Sequence, residues 1–406
     1  MNLIYIGYLY PDTLLQELID LKSYIDFPAH SFQTALLKGL NKPFPQTRVI
    51  SAAPVSAFPK IKKWYFRKEA FSHRGDNIAN DVYVGLLNFP LIALLSRFIR
   101  VRSEIKKSIK KDEKNIILSY GLHTPFLLAV LSMKKHVDKT CIIVPDLPQF
   151  MTGKSNPLYR FAKAIDRCII NYCIKRMDSF VLLSPHMAEL LPIDGKQTVV
   201  VDGIYGGTPE NILITAKEKY KTILYIGKAE ERTGIYDLIE AFKQIDNPEY
   251  RLWIRMYGDK KEYLDYAREC IKNDTRISLL PPMPRTELLQ IERKATVLVN
   301  PIRPTQKFTR YFFPSKTMEY LASGTPTIMY RLDCLSDEYD KYIHFIPKMS
   351  IESLRDTIVS VCNQSDEERS KFGKAAEKFI TEKRNSDVQA AKIADLIICD
   401  KSLHLS

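Results

Sequence analysis

The run Arg310-Tyr311-Phe312-Phe313-Pro314-Ser315-Lys316-Thr317-Met318-Glu319, continuing to Gly324-Thr325-Pro326, concentrates the residues best suited to chemistry in this chain. It predicts a helix that starts near Pro314, a glycine stop at Gly324 and a strand over 325–330. Proline suits a first helical turn because the amide it lacks would have no partner there. The remaining free amides of such a turn point outward and favour an anion. Ser315 and Lys316 add a hydroxyl and an ammonium at that start, and Glu319 shares the face of Ser315 one turn on. An anion site with an acid one turn away suits a nucleotide, whose ribose hydroxyls can donate to the carboxylate.

A second basic corner is Tyr225-Ile226-Gly227-Lys228-Ala229-Glu230-Glu231-Arg232-Thr233-Gly234, which follows a predicted strand and opens a helix. It fits neither a Walker loop nor the GxGxxG fingerprint, which argues against a P-loop ATPase and a dinucleotide dehydrogenase. It does put Lys228 and Arg232 where a diphosphate would sit, at the carboxyl end of a strand. Two solvated surface cations are the plain alternative, and the second phosphate-competent helix start tips the balance toward a site.

The elements that must position these residues form a regular series. From Lys221 onward, strands at 222–227, 250–257, 276–280, 296–300 and 325–330 alternate with helices at 235–245, 262–272, 285–294 and after Pro314. The strand at 250–257 is expected to end at Gly258-Asp259. Such alternation means βαβ units and a parallel sheet, with ligands at the carboxyl ends of the strands. The first half follows the same order less regularly, with short buried strands at 3–7, 115–119, 141–144 and 179–183 and helical stretches at 92–111 and 158–176. The expected class is therefore α/β with two doubly wound, Rossmann-like domains. Residues 1–200 and 221–385 form the domains, 201–220 a linker, and 386–406 a C-terminal helix and tail packing back toward the N-terminal domain.

The chain has 406 residues, too many for one ordinary core, and 45% hydrophobic against 26% charged residues marks it as globular. No apolar run reaches the ~18 residues of a membrane span. The N-terminus reads as a first strand, not a signal peptide. The seven cysteines are scattered and lack metal-ligand spacing, so free thiols in a reducing cytoplasm are expected. Residues 1–200 hold 28 Lys+Arg against 16 Asp+Glu, so nearly all of the net +13 lies in the first half. That half should attract phosphates, an anionic membrane surface or nucleic acid. Its basic, aromatic-rich segment Lys60–Lys68 and the basic stretch from Arg97 to Lys114 fit a peripheral membrane contact.

Three blocks resemble family 4 glycosyltransferases of the two-domain B-type fold (GT-B). Leu224–Phe242 is similar to their "YxGR…G…LIEAF" segment, and Phe313–Ile328 to their "FPSK…EYLASG.P.I" signature. Pro281–Leu289 followed by Ala295–Pro301 is similar to their "G.v...el...Y..adv.v.P" stretch, and order and spacing are kept over about a hundred residues. The resemblance implies two domains facing each other across a cleft and a sugar nucleotide held by the second. It implies that Glu319 binds the donor ribose and Lys228 the diphosphate. Gly227, Arg232, Tyr311, Ser315 and Thr317 complete the donor contacts, and backbone near Met283 meets the base. Lys228 and Lys316 would stabilise the departing diphosphate. Two departures stand out: Tyr311 replaces the first glutamate of the family's pair, and Thr233 takes the place of its second basic residue.

In the first domain, His123 is the candidate contact to donor sugar or acceptor, and Asp146 the candidate to orient or deprotonate an acceptor hydroxyl. Gly7 ends the first strand and could admit an acceptor close to the backbone. No acidic metal cluster is visible, so neither metal nor other cofactor is expected. The expected activity is retaining transfer of a sugar to a lipid-linked surface or capsular glycan, in the cytoplasm, peripheral on the inner face of the plasma membrane. A sugar-nucleotide epimerase on the same fold is the first alternative. The second is a basic nucleic-acid-binding protein, for which no motif of defined spacing appears.

Overall fold

The computed structural model describes residues 1–76, 78–150, 157–207, 216–257, 261–272, 274–305 and 307–399. The expected Gly258-Asp259 turn and residues 208–215 of the expected linker lie outside them. The chain divides into two compact units, Met1–Gly206 with Ser386–Ser406, and Gly207–Asn385.

The first unit is built on an eight-stranded sheet. Its order is Gln197–Val200, Ser179–Leu182, Lys139–Val144, Asn115–Tyr120, Asn2–Gly7, Arg48–Ser51, Asp81–Tyr83 and Glu69–Phe71. All neighbours are parallel except the last pair. The central strands are continuous apolar runs because helices cover both faces: Leu3, Ile4, Tyr5 and Ile6 are fully buried, as are Ile117, Leu118 and Ile142 to Val144. The strands at 48–51, 69–71, 81–83 and 197–200 were not expected, being three or four residues long and too short to show a period. A separate two-stranded antiparallel sheet pairs Tyr65–Phe66 with Leu86–Leu87.

The helical tail is two helices, Asp366–Lys383 and Ser386–Ile398, broken at Arg384-Asn385. The second helps close the first unit's core: Ala390, Ile393, Ala394 and Ile397 pack with Leu36, Leu37 and Leu40.

The second unit carries a six-stranded, all-parallel sheet ordered Ile277–Leu279, Tyr250–Tyr257, Lys221–Lys228, Val297–Asn300, Thr327–Met329 and His344–Phe345. The strand Lys221–Lys228 is central, and its apolar core residues Ile223 and Tyr225 pack against Leu238, Ile239 and Phe242 of the helix Ile235–Lys243. The strand order reverses between Tyr250–Tyr257 and Val297–Asn300, on either side of Lys221–Lys228. Such a switch point opens a crevice at the strand's carboxyl end, which here is Gly227-Lys228.

Candidate active site

At that carboxyl end the chain turns from strand to helix through Ala229–Thr233 and Gly234. Gly234 has φ 74°, and a β-carbon there would stand 2.0 Å from the carbonyl oxygen of Pro301, so only glycine fits. The loop is held by hydroxyls: Tyr225 donates to the Lys228 carbonyl at 2.9 Å, and Thr233 to the same oxygen at 2.9 Å. Thr233, where the resemblance would have a cation, is thus a loop brace. Lys228 is exposed beyond this brace. Arg232 pairs with Glu230 and lies 5.5 Å over the ring of Phe308, so its charge is already partnered.

The second corner is the helix Ser315–Ala322. Pro314 precedes it as the cap residue (φ −73°, ψ 101°), one position outside the expected first turn, and its carbonyl accepts from the Thr317 amide at 2.8 Å. The following strand is shorter than expected, Thr327–Met329. The helix is fixed to the central strand by one side chain. The Tyr320 hydroxyl accepts from the Ile226 amide at 2.8 Å and sits 3.4 Å from the Ile226 carbonyl. Both corners are therefore referenced to the backbone next to Gly227.

Lys316 and Glu319 come together, with Lys316 Nζ 2.6 Å from Glu319 Oε2. Two residues missed in the sequence complete the group: Arg285 Nε lies 3.6 Å from Glu319, and Glu292 Oε1 4.0 Å from Lys316 Nζ. Burial pulls the Lys316 ammonium down, but Glu319 and then Glu292 outweigh it and leave its pKa raised. Lys316 stays a cation. Glu292 is fully buried and neither oxygen has a hydrogen-bond partner. Burial first, and the charge of Glu319 second, push its carboxyl well above the ordinary range, against the pull of Lys316, Arg285 and Arg293. One signal could have found it: Glu292 stands three residues after Leu289 and four after Leu288, on the apolar face of its own helix.

Other donor candidates are less direct. Ser315 is exposed at the helix start, while Thr317 is fully buried with its hydroxyl 3.9 Å from the Met329 sulfur. The Thr317 side chain is a packing group, which corrects the expected donor contact. Met283 is half-buried in the loop just before Arg285, and half-buried Tyr311 donates its amide to the Phe308 carbonyl at 2.9 Å. Tyr257 ends the neighbouring strand opposite Lys228.

In the first unit, His123 caps the helix Thr124–Met133 after the strand Asn115–Tyr120. Its ring meets Phe126 and Tyr8 edge-on at 4.8 and 5.9 Å, and Nδ1 is buried without a partner. Burial, then Arg97 and Lys163, push its pKa down to about 3. His123 is a neutral imidazole, suited to accept or donate a hydrogen bond rather than to carry charge. Asp146 follows the strand Lys139–Val144 and keeps an exposed edge, yet its crowded surroundings and then Asp26 raise its pKa, as a general base requires. Gly7 does not leave room for a ligand: a β-carbon there would lie 2.0 Å from Gln33 Oε1, which accepts from the Tyr8 amide at 2.8 Å. Its glycine is explained by Gln33, correcting the acceptor assignment.

Residues 210–379 match the family model described as glycosyl transferases group 1. No curated protein matches the sequence. Among solved structures, sucrose-phosphate synthase from Thermosynechococcus elongatus is 14% identical, with 98% of each chain covered and a TM-score of 0.61. Anabaena HepE in complex with UDP is 12% identical over 97% of this chain and 99% of that one, at a TM-score of 0.63. A putative UDP-N-acetylglucosamine 2-epimerase from Listeria monocytogenes is 14% identical over 98% and 95%, at 0.54. These likenesses show the GT-B fold, two Rossmann-like domains, across nearly the whole chain. The group 1 match lies within its second unit.

Proposed function

We propose that this protein moves a sugar from a nucleoside-diphosphate donor held by the second unit to a hydroxyl acceptor held by the first. The carrying observation is the Lys316–Glu319 pair at a helix start that Tyr320 fixes beside Gly227-Lys228. On this reading Lys228, Lys316 and the helix-start amides take up the charge that builds on the departing diphosphate. Glu319 receives the ribose hydroxyls. Arg285, already at Glu319, is an added candidate for the diphosphate or base. The family precedent of retention fits, since leaving-group stabilisation needs no protein nucleophile, and charge neutralisation is assigned to protein cations without a metal. HepE is in complex with UDP, which makes a uridine nucleotide the first donor to test.

The acceptor is proposed to be lipid-linked, and the protein to work on an anionic membrane. The helix Ile92–Ser108 supports this, because Leu91, Leu95 and Ile99 are 80, 57 and 54% exposed, followed by exposed Arg102 and Lys106. Leu91 is held at φ 65°, a conformation that costs leucine on the order of 1–3 kcal/mol. Trp64, 55% exposed, lies in the Lys60–Lys68 segment. No helix among the described residues is long and apolar enough to cross a membrane.

Incubation with a panel of nucleotide sugars, with and without prenyl-diphosphate glycans, tests the proposal. Acceptor-dependent release of nucleoside diphosphate is expected. Interconversion of the donor without release would instead identify an epimerase.

A further inference from the structure

The first unit buries a cation for which the described residues supply no counter-charge. Arg97, in the second turn of the helix Ile92–Ser108, is 9% exposed. Its Nη2 donates to the Ala53 carbonyl at a long 3.4 Å, and Nε has no hydrogen-bond partner. No carboxylate among the described residues lies within ion-pair distance. The one acid on its own helix, Glu104, is two turns away and taken by Lys68 at 2.8 Å, Lys107 at 2.9 Å and Arg48 at 3.4 Å.

The surroundings share this unmet demand. The Tyr83 hydroxyl and His123 Nδ1 are buried without partners, and both groups interact electrostatically with Arg97. Tyr10, by contrast, donates its hydroxyl to the Pro54 carbonyl at 2.9 Å. Ala53, Tyr83, Tyr8, His123 and Asp146 follow or end five parallel strands at their carboxyl ends, the end at which such sheets take ligands. Two carboxylates face the same neighbourhood through Tyr8. Asp26 is committed to its helix, accepting from the Ala29 amide at 3.1 Å, while Asp146 is not.

A guanidinium taken out of water without a partner costs several kcal/mol, a cost that a bound anion removes. Its planar fork matches carboxylate and phosphate oxygens in pairs. We propose that Arg97, with the Tyr83 hydroxyl and the His123 ring, forms a subsite for an anionic group, phosphate or carboxylate, carried by the acceptor near the hydroxyl that Asp146 contacts. This rests on the acceptor reading above. It narrows the acceptor class to a hydroxylated molecule with an acidic group beside the reacting end, either a lipid-borne phosphate or an acidic sugar.

The test is thermal unfolding of the full chain with saturating UDP, at ionic strength fixed by chloride, while geranyl phosphate or glucuronate is titrated. One of the two is expected to raise Tm by several degrees when well above its dissociation constant. Geranyl phosphate would identify a lipid source and glucuronate a sugar source. In Arg97→Lys the same shift should require about tenfold more anion, and in Tyr83→Phe a smaller excess. No shift with either anion in wild type, or equal titrations in wild type and Arg97→Lys, would overturn the proposal. An Arg97→Lys chain that does not fold would assign the guanidinium to the core and overturn it as well. The shift from UDP alone reports separately on the donor site: its absence beside an intact anion response would sink the donor reading only.

Discussion

Glu292 is a carboxyl group placed where its charge has no hydrogen bond to support it, 4.0 Å from a lysine that already belongs to Glu319. Its raised pKa makes the native state hold a proton that the unfolded chain releases near the ordinary value of 4.5. Between 4.5 and the folded value the native state binds more protons, so stability must fall as pH rises. Glu292→Gln should remove that slope and stabilise the protein at pH 8 by about 1–3 kcal/mol, read from urea unfolding at pH 5 and pH 8. Parallel pH profiles for the two proteins would show that Glu292 is ionised in the fold.

Glu319→Ala should weaken UDP binding about tenfold to a hundredfold, because hydrogen bonds to a charged acceptor are lost. Lys316→Ala should slow turnover by about a hundredfold, the usual loss on removing one group that stabilises developing charge. Steady-state kinetics and calorimetric titration check both. The residues of these predictions differ in how readable they were. Ser315, Lys316 and Glu319 announce themselves by type and spacing beside a proline and a glycine stop. Arg285 and Arg97 do not, since the environment that makes them unusual comes from elements distant in sequence, and Glu292 shows only as a carboxyl on the apolar face of its own helix. Gly7 and Thr317 show the converse, residues at plausible positions whose surroundings turn out to be protein.

At the scale of elements, the site depends on how one short helix is seated. Helix Ser315–Ala322 has only eight residues and no side-chain cap, so its placement comes from Tyr320 reaching Ile226 and from buried Met318 and Leu321. Tyr320→Phe leaves the Ile226 amide buried and unpaired and should cost about 1–3 kcal/mol of stability. Because it also loosens the helix start, donor affinity should fall with it. An unchanged urea midpoint would refute this anchoring role. In the second unit, the strands and helices from Lys221 to Met329 were legible to within two residues at either end because they alternate with a clear change of period, whereas the strand His344–Phe345 and the helix Ile351–Cys362 were not expected. In the first unit, Arg48–Ser51 and Asp81–Tyr83 are visible only through their pairing, Ile50 with Val82 and Ser51 with Tyr83. Arg97 illustrates the limit: read along the chain it belongs to a basic surface stretch, and only the packing of its helix turns it inward.

Over the whole molecule, the excess of positive charge lies in the half whose exposed side chains include Leu91, Leu95, Ile99 and Trp64. Lys63 is not free to contribute, being paired with Glu17, whereas Lys62 and Arg67 are exposed. On the proposed membrane reading, Leu91→Ser with Leu95→Ser and Ile99→Ser should reduce binding to anionic vesicles by at least tenfold, as each buried side chain contributes about 1.5–3 kcal/mol. Lys62→Glu with Arg67→Glu should weaken it further at low salt. Sedimentation with vesicles reads both, and UDP affinity should not change. Equal sedimentation of all three proteins would remove the membrane from the account.

The central claim is that Lys228 and Lys316, from two different strand-to-helix corners, hold one diphosphate. Calorimetric titration of UDP into wild type, Lys228→Ala and Lys316→Ala tests it most directly. The account predicts binding to wild type and a loss of about tenfold or more in each variant, the size expected for a charge-assisted contact. Equal affinity in all three proteins would contradict it.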